Sequence, residues 1–221
     1  MSTSSESKHP ALADHFIDLK QQYDTAQLGM WSFLLTEVMM FGGLFMCYIV
    51  ARSKFLEAFV DASHHLSIGL GGFNTIVLIV SSLTMAMAVH AASEGHQKKT
   101  FKFLLWTLFL GAVFLGVKYI EYSAKIEHHN VPGDSFEWHG VANPANVELF
   151  FGLYFVMTGL HAVHMIIGGG LLIWLMVLNH KGRFTKDFST PVELVGLYWH
   201  FVDIVWIFLF PLLYLIGRHS A

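Results

Sequence analysis

Charge and cysteine are both scarce in this chain of 221 residues. Only 13% of the residues are charged, against roughly 25% in an average soluble domain, so too few charges are present to cover a water-facing surface. The single cysteine, Cys47, excludes a disulfide framework within the chain and a cysteine-based metal cage. A net charge of −3 offers no basic excess for nucleic acid. Because 54% of the residues are hydrophobic, disorder is excluded too. The class that remains is a polytopic membrane protein.

Long apolar runs are what the chain has instead. A helix needs about 20 apolar residues to cross a hydrocarbon core ~30 Å thick. Five runs meet that length, at 28–51, 68–90, 103–122, 147–178 and 194–217. They are continuous rather than alternating, which is typical of helices and not of β-barrel strands. The sequence therefore predicts an all-α bundle of five transmembrane helices, preceded by a polar tail at 1–27 and followed by a short tail at 218–221.

Lysine and arginine are distributed unequally between the two sides of this bundle. Eight lie in the first tail and in the second and fourth connections, and four lie on the opposite side. The first set is Lys8, Lys20, Lys98, Lys99, Lys102, Lys181, Arg183 and Lys186; the second is Arg52, Lys54, Lys125 and Arg218. Because short cytoplasmic loops carry the basic excess, we predict an inside N-terminus and an outside C-terminus.

The basic loops on the predicted inner side are candidate ligands of phospholipid headgroups. A basic residue near an anionic membrane surface contributes about 1 kcal/mol. The candidates are Lys98, Lys99 and Lys102 in one loop and Lys181, Arg183 and Lys186 in the other. The alternative is that these loops are solvated and only obey the orientation rule.

Glu37 is the most isolated ionisable residue within the predicted spans. It lies nine residues after Leu28, which places it about 13 Å into the membrane. Its sequence neighbours offer no basic residue within one helical turn. Burial without a cation favours a protonated, neutral carboxyl. Two interpretations follow: a site that exchanges protons or binds a polar group, or a structural hydrogen bond to another helix.

Two further groups of polar residues lie within the spans. Lys118 and Glu121 are three residues apart, so they share a helix face, and we expect a local ion pair with Lys118 extending to the interface. His161 and His164 show the same spacing, as do His200 and Asp203. These histidines could be haem or metal ligands, or members of a hydrogen-bonded network in which His200 pairs with Asp203. Glycines near these groups, at 42–43 and 168–170, are predicted to be packing positions.

The last two spans carry a resemblance to a known family. Residues 198–206 read YWHFVDIVW and residues 158–168 read TGLHAVHMIIG. These segments closely resemble the final helix and the paired-histidine helix of subunit III of haem–copper cytochrome oxidases. The other spans agree in order, with Thr36-Glu37 in the first, Asn74-Thr75 and Ser81-Ser82 in the second, and Glu121-Tyr122 in the third. The likeness covers roughly residues 28–217.

The resemblance implies an accessory, non-redox subunit of an aerobic respiratory terminal oxidase. Such a subunit packs directly on catalytic subunit I, with subunit II in the same complex, and a larger respiratory supercomplex is possible. It binds phospholipid in a cleft and supports proton uptake during oxygen reduction. Haem and copper lie in the partner subunits, so no cofactor and no metal are expected in this chain, and His161, His164 and His200 are structural. Glu37 matches the family's intramembrane glutamate.

The chain departs from the long form of that family, which has seven helices. The two helices that precede the glutamate helix are missing, as in five-helix bacterial forms, so we expect a bacterial plasma membrane. Glu37 favours cytochrome c as electron donor, because quinol-type relatives often carry Asp there. Subunit III of a quinol oxidase is the alternative within the family. A proton-linked transporter and a di-haem quinone-binding protein are alternatives outside it, although a transporter usually shows internal repeats and interrupted helices.

The predicted orientation is testable with reporter fusions. Fusions after Lys98 and after Lys181 should report a cytoplasmic location, because both loops belong to the basic set. Periplasmic accessibility of either loop would contradict the orientation.

Overall fold

The structure, a computed structural model, describes residues 12, 14–127, 129–133, 136–186 and 188–216. This part of the chain forms six helices: α1 Leu19–Lys54, α2 Leu56–His64, α3 Ile68–Ser93, α4 Gln97–Glu127, α5 Pro144–His180 and α6 Thr190–Tyr214. All except α2 are long and apolar enough to cross a membrane. The prediction of an all-α protein with five membrane-spanning helices is therefore confirmed. The predicted tail at 218–221, Lys8 and the end of the fifth run at Gly217 lie outside the described residues.

The spanning helices extend beyond the apolar runs that predicted them. α5 has 37 residues, about 55 Å of helix, which is longer than the hydrocarbon core. Polar caps set the true ends: the Asp18 carboxylate accepts from Gln21 N at 2.6 Å before α1, and the Asn143 side chain accepts from Ala145 N at 3.0 Å before α5. Hydropathy locates the part of a helix that lies in lipid, whereas capping residues locate where the helix begins.

The connection between the first two spans contains a helix that hydropathy alone does not reveal. α2 has nine residues, too few to cross a membrane. Its inner face buries Ala58, Phe59, Ala62 and Ser63, and the Phe59 ring meets Phe150 edge-on with centroids 5.3 Å apart. α2 therefore closes one end of the bundle against α5.

Four of the spanning helices form the body of the protein. α3 packs against α4 and α6, and α5 packs against α4 and α6, which closes a four-helix ring. α1 contacts α5 and α6 along one side and is the most exposed of the five spans. Most of its apolar side chains face outward, as expected for a helix in contact with lipid or a partner subunit.

Trp199 of α6 occupies the centre of this ring. Its indole Nε1 donates to the Ser81 hydroxyl of α3 at 2.9 Å. Its ring fits against Gly111 of α4 and Gly168 of α5, where an added Cβ would lie 2.9 Å from a ring carbon at either position. Gly168 is therefore a packing position, as predicted.

Gly42, Gly43 and Gly170 are not packing positions within the described part of this chain. A Cβ at these three positions would meet nothing within 4 Å. Their packing against a helix of another subunit stays a prediction.

A buried ion pair joins α4, α5 and α6. Lys118 Nζ donates to Glu121 Oε2 at 2.9 Å and to Tyr214 OH at 2.8 Å. Glu121 Oε1 accepts from Tyr154 OH at 2.9 Å and from Tyr214 OH at 2.5 Å. The ammonium also lies 4.9 Å from the centroid of the Trp206 ring. One carboxylate thus organises hydroxyl groups from two other helices.

The expectation that Lys118 extends to the interface is wrong, although the ion pair itself is present. The side chains of Lys118 and Glu121 are only 5% and 4% exposed. Lys118 turns inward because tyrosine hydroxyls and aromatic faces replace the water that an ammonium would otherwise need.

Two glycine variants on one helix test the packing around Trp199. Gly168→Ala should destabilise the protein by about 1–3 kcal/mol, because the added methyl overpacks a buried ring. Gly170→Ala makes the same change in helix propensity at a position with open space, so it should be neutral or slightly stabilising. Thermal unfolding in detergent would compare the two. Equal effects would contradict the packing role of Gly168.

Charge removal tests the ion pair. Glu121→Gln leaves Lys118 as an uncompensated buried charge, and we expect a loss of about 3–5 kcal/mol. The double variant Lys118→Met/Glu121→Gln carries no charge and keeps an acceptor for the tyrosines. It should unfold at a higher temperature than Glu121→Gln alone. A loss in the double variant equal to the sum of the losses in Lys118→Met and Glu121→Gln would show that the pair is not coupled.

Candidate functional site

Glu37 and His164 meet between α1 and α5. The Glu37 Oε2 atom lies 3.1 Å from His164 Nε2, and the two side chains are 16% and 10% exposed. The Phe41 ring meets His164 edge-on at 5.4 Å, and the Tyr198 ring stacks on it at 6.4 Å. The pair is therefore enclosed by aromatic rings, with its carboxyl near the surface of the bundle.

The hydrogen bonds of His164 determine how many protons the pair holds. His164 Nδ1 lies 2.8 Å from the Leu160 carbonyl oxygen. A carbonyl can only accept, so Nδ1 carries a hydrogen. The contact between Nε2 and Glu37 Oε2 then needs one further proton. That proton resides on the carboxyl and faces a neutral imidazole, or it resides on Nε2 and faces a carboxylate.

Glu37 and His164 therefore form a single protonatable unit with one shared proton. With it, the pair is neutral overall; without it, the lone pairs of a carboxylate oxygen and an imidazole nitrogen oppose each other. The hydrogen bond to another helix, one of the two interpretations drawn from sequence, is present. It does not oppose the proton-exchange interpretation, because the bond itself depends on the proton.

The sequence around Glu37 does not reveal this partner. His164 lies 127 residues further along the chain. The one sequence signal for this pairing is that Glu37 and His164 are both polar residues in apolar helices, and isolated polar groups in lipid need a partner.

His161 has a different environment although it is one turn from His164. It is fully buried, with the Phe114 ring at 5.4 Å and the Trp206 ring at 5.3 Å. Neither ring nitrogen has a hydrogen-bond partner in the described part of the chain. The network predicted for His161 is not formed with any described residue.

His200 and Asp203 do not bond to each other as expected. His200 Nδ1 instead contacts the Ser82 hydroxyl of α3 at 2.7 Å. Asp203 is buried; the Ser82 hydroxyl lies beside it, but neither carboxyl oxygen has a bond of good geometry to a described residue. Together with Trp206 Nε1, which donates to Thr75 Oγ1 at 3.2 Å, these contacts make the α3–α6 interface a polar seam.

His164 is not arranged as a metal ligand. His164 uses both ring nitrogens in hydrogen bonds within the protein, and a ligand histidine needs one of them for the metal. Among the described residues, no group of three or more His, Cys, Asp or Glu side chains could hold a metal ion.

The predicted headgroup ligands lie at one end of the bundle, where α3 joins α4 and α5 joins α6. All six are exposed: Lys98, Lys99, Lys102, Lys181, Arg183 and Lys186. Lys98 and Lys181 border cavities between α4 and α5. The buried ion pair Lys118–Glu121 and the inward-facing Lys125, which donates to the His65 carbonyl oxygen at 2.5 Å, lie towards the opposite end.

Comparisons with known proteins agree with the family that the sequence motifs of the spans indicate. The sequence model of the family described as cytochrome c oxidase subunit III matches residues 14–218. Cytochrome c oxidase subunit 3 of Corynebacterium diphtheriae is 33% identical over 186 residues, which cover 83% of this chain and 84% of that protein. Quinol oxidase subunit 3 of Bacillus spizizenii is 31% identical over 190 residues, 86% of each chain.

A third relative has a composite name. Heme-copper oxidase subunit I+III of Aeropyrum pernix is 31% identical over 199 residues, which cover 87% of this chain but only 23% of that longer protein. With the family match over nearly the whole length and relatives above 30% identity, the chain belongs to the cytochrome c oxidase subunit III family.

Proposed function

We propose that this subunit III packs directly on catalytic subunit I of an aerobic terminal oxidase in a bacterial plasma membrane, with subunit II in the same complex. In this role it supports proton uptake and binds phospholipid, while haem and copper lie in the partner subunits. Its N-terminus lies inside and its C-terminus outside. Cytochrome c is the proposed electron donor, with quinol as the alternative.

The contact between Glu37 and His164 is the observation that supports the proton-uptake role. A carboxyl within a span that is hydrogen-bonded to an imidazole lies next to a second group that can hold the same proton. Its position on α1, the most exposed span, gives it access from lipid or from a partner subunit. The buried carboxylate of Glu121 has no such access, because it is enclosed by three donors.

The composite name of the Aeropyrum pernix relative supports direct packing on subunit I. In that protein the part similar to this chain belongs to one polypeptide named subunit I+III. Covalent joining of two subunits is favourable where they already lie together, because it raises their effective concentration. The outward-facing apolar side chains of α1 provide one surface of the kind that a partner subunit covers.

A variant of Glu37 tests both the site and the accessory role. Glu37→Gln keeps an N–H that can donate to His164 Nε2, so the subunit should fold and assemble. The complex should still reduce oxygen, because the metals lie in other subunits. Proton uptake or working lifetime should decline, because an amide cannot release a proton. Oxygen consumption and proton uptake measured on the purified complex would separate these effects.

Carbodiimide labelling provides the matched control. An apolar carbodiimide should label Glu37 and not Glu121 or Asp203, which are almost completely buried. Glu37→Gln should abolish the labelling. Loss of oxygen reduction in a fully assembled Glu37→Gln complex would contradict an accessory role, and failure to label Glu37 would show that a partner covers it.

A further inference from the structure

A groove runs between the beginning of α4 and the end of α5. It consists of two adjoining cavities of about 280 and 440 Å³, which share Phe101 and His180. Gln97, Lys98 and Asn179 line the smaller, polar cavity. Leu105, Ile173 and Val177 line the larger, apolar cavity, with Lys181 at its rim. No residue of α1 borders either cavity, so the groove is separate from the Glu37–His164 site.

The groove crosses from the membrane interface into the apolar region. Leu105 lies eight residues after the first residue of α4, and Ile173 lies seven residues before the last residue of α5. At 1.5 Å per residue the apolar part therefore reaches about 10–12 Å below the helix ends. Leu105, Ile173 and Val177 are each about half exposed, so this part of the groove opens on the outer surface of the bundle.

Asn179 leaves an unpaired acceptor at the polar end. It is 4% exposed, and its Nδ2 donates to the Gln97 carbonyl oxygen at 2.9 Å. Because a carbonyl can only accept, this bond fixes the orientation of the amide. Asn179 Oδ1 is then buried without a hydrogen-bond partner among the described residues. A buried acceptor of this kind takes a hydrogen bond from an ordered water or from a bound molecule, and a ligand in the adjoining cavity can provide that donor.

The charges around the groove select for phosphate. Lys98 borders the polar cavity and Lys181 the rim of the apolar one, and both are exposed. In the described part of the chain, no Asp or Glu side chain lines either cavity. The groove therefore combines cations, one unpaired acceptor and an apolar channel, in that order from the interface inward.

We propose that this groove binds one phospholipid whose headgroup carries both a phosphate and a hydrogen-bond donor, as in phosphatidylglycerol or phosphatidylethanolamine. The phosphate lies between Lys98 and Lys181, and the headgroup hydroxyl or ammonium donates to Asn179 Oδ1. One acyl chain follows Phe101, Leu105 and Ile173. Phosphatidylcholine is disfavoured, because its quaternary ammonium has no hydrogen to donate. The site rests on the proposed lipid-binding role and specifies its place and its ligand.

Retained lipid in the purified oxidase complex tests this site. The complex is stripped with detergent, incubated separately with vesicles of phosphatidylglycerol, phosphatidylethanolamine or phosphatidylcholine, and examined by native mass spectrometry. Val177→Trp fills the apolar channel at a half-exposed position, and Val156→Trp makes the same change at a half-exposed position of α5 outside the groove. Lys98→Gln removes the phosphate ligand, and Lys99→Gln removes a neighbouring exposed lysine that does not line the groove.

We expect Val177→Trp to lose one tightly retained phosphatidylglycerol or phosphatidylethanolamine, and Lys98→Gln to retain it about fivefold more weakly. Both control variants should behave as the unmodified complex, and phosphatidylcholine should not be retained. An unchanged lipid count in Val177→Trp or in Lys98→Gln, or equal retention of phosphatidylcholine, would overturn the proposal. Failure of the unmodified chain to co-purify with subunit I would instead contradict the proposed function.

Discussion

The carboxylate of Glu121 is the interaction on which the bundle depends most. Lipid provides no water, so a charge within a span must be satisfied by the protein itself. Glu121 accepts from Lys118 on its own helix, from Tyr154 of α5 and from Tyr214 of α6. The same tyrosines and Trp206 surround the Lys118 ammonium at 4.9–5.5 Å from their ring centroids. Satisfying one ion pair therefore fixes the relative positions of three helices.

Glu37 has fewer hydrogen-bond donors around its carboxyl than Glu121 has. Its hydrogen-bond partner in the described part of the chain is His164, and that contact needs a proton between the two side chains. Glu121 has three donors, from its own helix and from two others. The two carboxyls therefore differ in how completely the described residues satisfy them.

Hydropathy is enough to predict the five spans, because the length of an apolar run directly reflects the thickness of the membrane. It also singles out Glu37, Lys118 and Glu121, since any charge in lipid needs an explanation. It does not predict that Lys118 faces inward, because the tyrosines that receive it come from α5 and α6. The pairing of Glu37 with His164 escapes prediction for the same reason. α2 is missed because a nine-residue amphipathic helix gives no signal in a search for spans.

The hydrogen bond between Glu37 and His164 helps to hold α1 against α5. Few polar contacts hold α1 to the bundle: this pair near the middle, and the Tyr48 hydroxyl, which donates to the Leu212 carbonyl oxygen at 2.8 Å, towards its end. Losing the shared proton exchanges an attractive contact for two opposed lone pairs in an apolar setting, where the repulsion is screened least. Loss of that proton would therefore weaken one of the contacts between α1 and the bundle. A subunit that covers the outer face of α1 would therefore lie beside this contact, whereas Glu121 is enclosed by residues of α4, α5 and α6.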